Sequence, residues 1–154
     1  MNTNRRKESE VINIREMYIA DYDSVINLWC ETEGMSIRDA DSKQSISTYL
    51  ERNPGLSFVA ESKQGVVGAV LVGTDGRRGY LQHLAVSSEF RGQNLGCQLV
   101  TEAVNALAGV GVPKTHLFVY NDNINAQKFY EKLGWFPRDE VRMYSFNSSS
   151  NSNA

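Results

Sequence analysis

The chain of 154 residues has little cysteine and little histidine, two of each. Cys30 and Cys97 both fall in stretches that read as helix. They are expected as reduced thiols and not as a disulfide, which fits a cytoplasmic protein. Two histidines and two cysteines at no ligand spacing give no basis for a metal site. An excess of one charge is lacking too, with 16 Lys and Arg against 18 Asp and Glu. The formal net charge of -2 makes no electrostatic case for nucleic acid. No apolar run approaches the ~20 residues of a membrane span, so no membrane partner is expected. Residues 1–10 are charged and lack the apolar stretch of a secretory leader, so they read as a flexible tail. Residues 147–154 hold only Asn, Ser and Ala and read as a disordered tail. Neither end buries enough apolar surface to offset the entropy of ordering. Residues 11–146 are left as one domain, long enough to bury a core without staples.

Between the tails the pattern alternates. Val11–Met17 reads as a strand. Asp21 caps a helix with Tyr22, Val25, Ile26 and Trp29 on one face, ended by Gly34. A second helix after Ser42 carries Ile46, Tyr49 and Leu50 and stops at Asn53-Pro54. Leu56–Ser62 and Val66–Gly73 read as strands joined through Lys63-Gln64-Gly65. Arg78–Val86 is a further strand, reached through Asp75-Gly76. The helix after Asn94 buries Gly96, Leu99, Val100, Ala103 and Leu107 and ends near Gly109 and Gly111, with Pro113 beyond. Thr115–Tyr120 is a strand. A last helix presents Ala126, Phe129, Tyr130 and Leu133 and is stopped by Gly134. Val141–Phe146 alternates as a final strand. The expected order is βααβββαβαβ, a mixed α/β sheet.

The stretch Leu84–Val100, LAVSSEFRGQNLGCQLV, carries the chemistry. A short apolar strand end runs into a turn with Gly92 and Gly96, and the turn becomes a helix. The first turn of a helix has backbone N–H groups without partners, and the helix dipole adds positive charge there. Such a turn suits a phosphate. Glycine lets the backbone approach a ligand closely. A P-loop would need Gly-Lys-Ser/Thr, which is absent. A dinucleotide fingerprint would need three spaced glycines after a first strand, and only two occur, in mid-chain. An ordinary strand–turn–helix with incidental glycines remains open on this segment alone.

A second segment, Asn123-Ile124-Asn125-Ala126-Gln127-Lys128-Phe129-Tyr130-Glu131-Lys132-Leu133-Gly134-Trp135, changes the reading. Together the two segments resemble the GNAT superfamily of acyl-CoA-dependent N-acyltransferases. Arg91, Leu95 and Gly96, after Leu84-Ala85-Val86, match its Arg/Gln-x-x-Gly-x-Gly/Ala signature. Asn94 stands where the family usually has Gly; Asn is the non-glycine residue that best tolerates positive φ. The second segment matches Asn-x-x-Ala-x-x-x-Tyr-x-x-x-Gly-aromatic. The resemblance spans Val11 to Phe146. The Asp75–Gly79 turn and the Val86–Gly92 segment are most similar to the YpeA-like branch of small bacterial proteins.

The resemblance implies a GNAT fold, with a mostly antiparallel central sheet, splayed strands, and helices on both faces. It implies acetyl-CoA as co-substrate, lying between the splayed strands Arg78–Val86 and Thr115–Tyr120. Leu84, Ala85 and Val86 would pair with the pantetheine. The amides of Arg91, Gly92, Gln93, Asn94, Leu95, Gly96 and Cys97 would cradle the pyrophosphate, and Asn123 would help hold the region. Tyr130 matches the family tyrosine that protonates the leaving thiolate; packing beside Phe129 is its other reading. Relatives place a base where this chain has Tyr80, Gln82 or Phe118, none of which is a good base. His83 is placed by strand alternation opposite Gln82 and reads as structural. His116 receives no role. Glu31, Glu33, Asp39 and Asp41 draw a cationic acceptor or form a solvated face. The implied function is acetyl transfer from acetyl-CoA to a primary amine of a small molecule or peptide N-terminus, by a monomer or homodimer. A non-catalytic acetyl-CoA-binding regulatory module is the alternative, and an unrelated α/β phosphate binder is a third reading.

Overall fold

A computed structural model describes residues 11–154. The expected 1–10 tail lies outside the described residues. A five-stranded sheet runs in the order β1 (Asn13–Glu16), β2 (Phe58–Ser62), β3 (Gly65–Thr74), β4 (Gly79–Val86), β5 (Thr115–His116). The first four strands are antiparallel, and β4 pairs with β5 in parallel. Helices α1 (Tyr22–Glu31) and α2 (Lys43–Arg52) pack on one face, while α3 (Leu95–Gly109) packs on the other. Helix α4 (Ile124–Lys132) lies on the α3 side, where Phe129 and Tyr130 pack against that core.

β3 is buried on both faces and therefore reads as an unbroken apolar run. Ala69 and Leu71 meet the core containing Val25, Trp29 and Ile46, whereas Val70 and Val72 meet the core containing Leu99, Ala103 and Leu107. The 3.6-residue period of α1 places Val25, Leu28 and Trp29 inward. Ser42 caps α2 by accepting the Ser45 N–H, and Asn123 caps α4 by accepting the Ala126 N–H. Ser57, buried just before β2, satisfies both backbone groups of Val72 through its hydroxyl, at 2.9 and 3.2 Å.

The sheet departs from expectation at its C-terminal side. The β5 ladder holds only Thr115 and His116 and does not extend to Tyr120. Val141–Phe146 forms no strand, and Val141, Met143, Tyr144 and Phe146 are exposed. Two physical reasons account for this. The apolar alternation slips by one residue between Met143 and Tyr144, so the segment has no single apolar face. A strand also needs a partner edge, and β5 is paired for only two residues. Residues 147–154 touch the domain through Asp39, whose carboxylate accepts from Asn151 and Asn153 at 2.5 and 2.7 Å. Among the described residues no helix is long and apolar enough to cross a membrane, and no group of three His, Cys, Asp or Glu could hold a metal ion.

Candidate active site

β4 and β5 pair at Gly79–Thr115 and Tyr80–His116 and then diverge. Beyond Tyr80 the β5-facing side of β4 has no ladder partner among the described residues. Buried backbone N–H and C=O groups demand partners, so an extended ligand with amide groups can complete this edge.

A bulge interrupts β4 within the opening. On its other side β4 pairs Ala85 with Ala69 and Gln82 with Leu71, so His83 and Leu84 stand opposite the single residue Val70. The bulge reverses the facing of the strand. Leu81 belongs to the α3-side core, yet Ala85, four residues on, belongs to the α1-side core. Simple alternation would have put both on one face. His83 itself takes φ +48°, a left-handed conformation that costs a non-glycine residue on the order of 1–3 kcal/mol. The sequence expectation that alternation carries His83 away from Gln82's face is therefore corrected. The bulge resets the count, and His83 packs on the α1 side.

There His83 meets partners distant in sequence. Its Nε2 lies 2.9 Å from Asp41 Oδ1. Its ring lies 4.8 Å from the ring of Trp29, a residue with no exposed surface. Asp41 sits at the end of a one-turn helix, Asp39–Asp41. Its other oxygen accepts the Arg38 N–H at 3.0 Å, and its carbonyl accepts the Tyr22 hydroxyl at 2.7 Å. Burial pushes the Asp41 carboxyl upward, but donors from His83 and the Arg38 backbone outweigh it and hold the group below the ordinary aspartate value. Trp29 Nε1–H is buried without a partner among the described residues.

The mouth of the opening ends at the helix turn. Gly92 takes φ +79° and Asn94 φ +65°, so Asn does stand in the left-handed conformation that a glycine would otherwise supply. The first bond of α3 runs from the Gln98 N–H to the Asn94 carbonyl. The N–H groups of Leu95, Gly96 and Cys97 make no hydrogen bond among the described residues, no side chain caps this end, and its first turn has no acidic residue. A helix start of this kind is able to receive an anion. Arg91 is exposed beside it.

Gly96 joins the two sequence motifs. A Cβ there would lie 3.2 Å from the Phe129 ring and 4.0 Å from Val86 Cγ2. The end of β4, the start of α3 and helix α4 thus meet at one point. Tyr130 follows Phe129, edge-on to it at 5.0 Å and to Trp135 at 5.7 Å. Burial raises the Tyr130 phenol to about 12.

Of the remaining expected residues, Gln82 and Phe118 are exposed, and the Tyr80 ring packs 6.1 Å from that of His116. Glu31, Glu33 and Asp39 are exposed, whereas Asp41 is buried. Cys30 and Cys97 are free thiols. The grouping of Trp29, Asp41 and His83 is absent from any sequence spacing. A bulge depends on how two strands register, and no residue of β4 announces it.

Comparison with known proteins agrees with this geometry. Residues 15–135 match the model of the acetyltransferase (GNAT) family. An acetyltransferase of Pectobacterium atrosepticum is 35% identical over 113 residues, covering 73% of this chain and 79% of that protein. Among solved structures, the PaiA N-acetyltransferase from Thermoplasma acidophilum in complex with coenzyme A superposes with TM-score 0.71 at 21% identity, covering 80% of this chain and 88% of that one. AAC(6')-Iy, in complex with the bisubstrate analogue CoA-S-monomethyl-acetylneamine, gives TM-score 0.72 at 18% identity over 89% of this chain and 99% of that one. With a family match over residues 15–135 and a relative 35% identical, the chain belongs to the acetyltransferase (GNAT) family.

Proposed function

We propose that the protein transfers an acetyl group from acetyl-CoA directly to a primary amine of a small molecule or of a peptide N-terminus. The observation that carries this reading is the divergence of β4 and β5 beyond Tyr80 and His116, ending at the unpartnered amides of Leu95–Cys97. Leu84, Ala85 and Val86 offer backbone groups to the pantetheine amides. The turn from Arg91 through Gly92, Gln93, Asn94, Leu95 and Gly96 to Cys97 receives the pyrophosphate. Asn123 sets the start of α4 by capping it, and so positions Tyr130.

In the reaction the amine nitrogen attacks the thioester carbonyl carbon. Negative charge gathers on the carbonyl oxygen, where a backbone N–H of the disrupted β4 ladder stabilises it. The C–S bond breaks and sulfur takes the proton of Tyr130. A phenol at about 12 is fully protonated at neutral pH and ready to donate. Similarity to relatives crystallised with coenzyme A and with an acetylated aminoglycoside analogue supports both the donor and an amine acceptor.

Tyr80, Gln82 and Phe118 occupy the positions where relatives carry a base, and none can take a proton at neutral pH. An α-amine near ~7.8 loses its proton more readily than a lysine near ~10.4, a difference of roughly 3.5 kcal/mol. Peptide N-termini, amino acids and weakly basic small amines therefore rank above internal lysines. The test incubates the protein with acetyl-CoA and a panel of free N-terminal peptides, N-terminally blocked lysine peptides, polyamines, amino acids and aminoglycosides. Thiol release and product mass are followed. Transfer to an α-amine or small amine is the expected result. Tight acetyl-CoA binding with no transfer to any amine would instead favour a regulatory module.

A further inference from the structure

We propose that His83, oriented by Asp41, is the general base that deprotonates the incoming ammonium. The inference rests on the acetyltransferase reading above. It supplies the base missing from positions 80, 82 and 118.

An ionised carboxylate only accepts hydrogen bonds, so the 2.9 Å contact to Asp41 places the imidazole proton on Nε2. Nδ1 is then the nitrogen with the free lone pair, and it takes part in no hydrogen bond among the described residues. Asp41 is firmly held by the Arg38 N–H and, through its carbonyl, by the Tyr22 hydroxyl. The Trp29 ring backs the imidazole. Carboxylate, imidazole and open nitrogen make the arrangement by which a histidine is prepared to accept a proton.

Position adds to this. His83 immediately precedes Leu84–Val86, inside the stretch of β4 that β5 leaves unpaired. Its side chain retains 20% exposure, so the pair is not sealed. The left-handed backbone at His83 is held against its own preference. Strain of this kind persists where the surrounding structure imposes it, and it collects at working sites. The buried Trp29 N–H without a partner is a second unmet group beside the imidazole.

An ammonium N–H bond breaks and its proton passes to Nδ1. The freed nitrogen lone pair forms the C–N bond, and the C–S bond breaks with its electrons on sulfur. Sulfur takes the Tyr130 proton, and the second proton lost by nitrogen restores Tyr130 by way of solvent. His83 returns its proton to solvent. The groups that face the imidazole are Asp41, from the one-turn helix, and Trp29, from α1. Tyr22, also on α1, acts through the Asp41 carbonyl.

The experiment compares wild type, His83→Asn and Asp41→Asn across pH 6 to 10. Asn tolerates the positive φ at 83 and offers an amide N–H to Asp41. For His83→Asn we expect kcat/KM at neutral pH to fall about 100-fold or more, with acetyl-CoA affinity unchanged. The gap should narrow as pH approaches the pKa of the amine, because a free amine needs no base. Asp41→Asn, a positioning change, should give a smaller loss in kcat with KM held. Nitrogen-15 NMR of the wild type should show the Nε2–H tautomer at His83, a readout that does not depend on either variant folding. A wild-type rate and pH profile in His83→Asn, or an Nδ1–H tautomer, would overturn the base. A wild type inactive on every amine would overturn the transferase reading itself.

Discussion

Tyr130 holds its proton far into the alkaline range, because its ring is packed among Phe129 and Trp135 and ionisation there is disfavoured. A proton donor of this kind is defined by removing only its oxygen. Tyr130→Phe keeps both ring contacts, and its kcat should fall about tenfold to a hundredfold while acetyl-CoA affinity stays within about twofold. Steady-state kinetics together with calorimetric binding measures both, and full activity would remove Tyr130 from the chemistry. At this scale the sequence was partly legible. Asn94 could be read as a residue able to stand in for glycine, and it does so at φ +65°. His83 could not be read correctly, because its facing is set by the Ala69–Ala85 and Leu71–Gln82 register and not by its neighbours in sequence.

Among the elements, α3 shows how one helix serves both core and site. Leu99, Ala103 and Leu107 on its buried face fix its direction against the sheet, and its N-terminus is thereby held at the mouth of the β4–β5 opening. Asn94→Asp separates the two roles. No side chain caps this helix start, so aspartate acts there only through its charge, which favours the positive end of the dipole, and stability should hold or rise by about 0.5 kcal/mol. The same charge beside a pyrophosphate should weaken acetyl-CoA binding about tenfold. Thermal melting and binding titration of one variant check both signs. Gly96 is less informative as a target, since any side chain there also strikes Phe129. Helices are the most legible elements, because a 3.6-residue apolar period over nine or more residues is a property of the segment alone. The last strand was not legible in this way. Val141–Phe146 has strand-like residues, but a strand exists only with a partner edge, and β5 leaves the ladder after His116.

For the molecule as a whole, the two faces of the sheet carry matching alkaline sensitivities. Tyr49 on the α2 side and Tyr130 on the α4 side are both raised by burial to about 12. In the unfolded chain such phenols ionise near ~10. Between these values the unfolded state releases protons that the folded state keeps, so stability falls as pH rises. Their contribution is complete below ~10 and is lost as pH rises toward about 12, at roughly 2–3 kcal/mol for each phenol. Urea unfolding at pH 9, 10.5 and 12 should show a falling midpoint, and a Tyr49→Phe, Tyr130→Phe double variant should flatten that fall. The overall layering, with helices on both faces of a mixed sheet, followed from the alternation of patterns along the chain. The opening between β4 and β5 followed only from the resemblance, since divergence of two strands leaves no mark in the composition of either.

Acetyl-CoA is proposed to lie along β4 and against the start of α3. Amide hydrogen exchange, read by mass spectrometry with and without acetyl-CoA, tests it most directly. Binding should slow exchange in two separated stretches, Leu84–Val86 and Leu95–Cys97, because both hold backbone N–H groups that the ligand would newly engage. Binding that protects other parts of the chain while leaving these two stretches unchanged would contradict it.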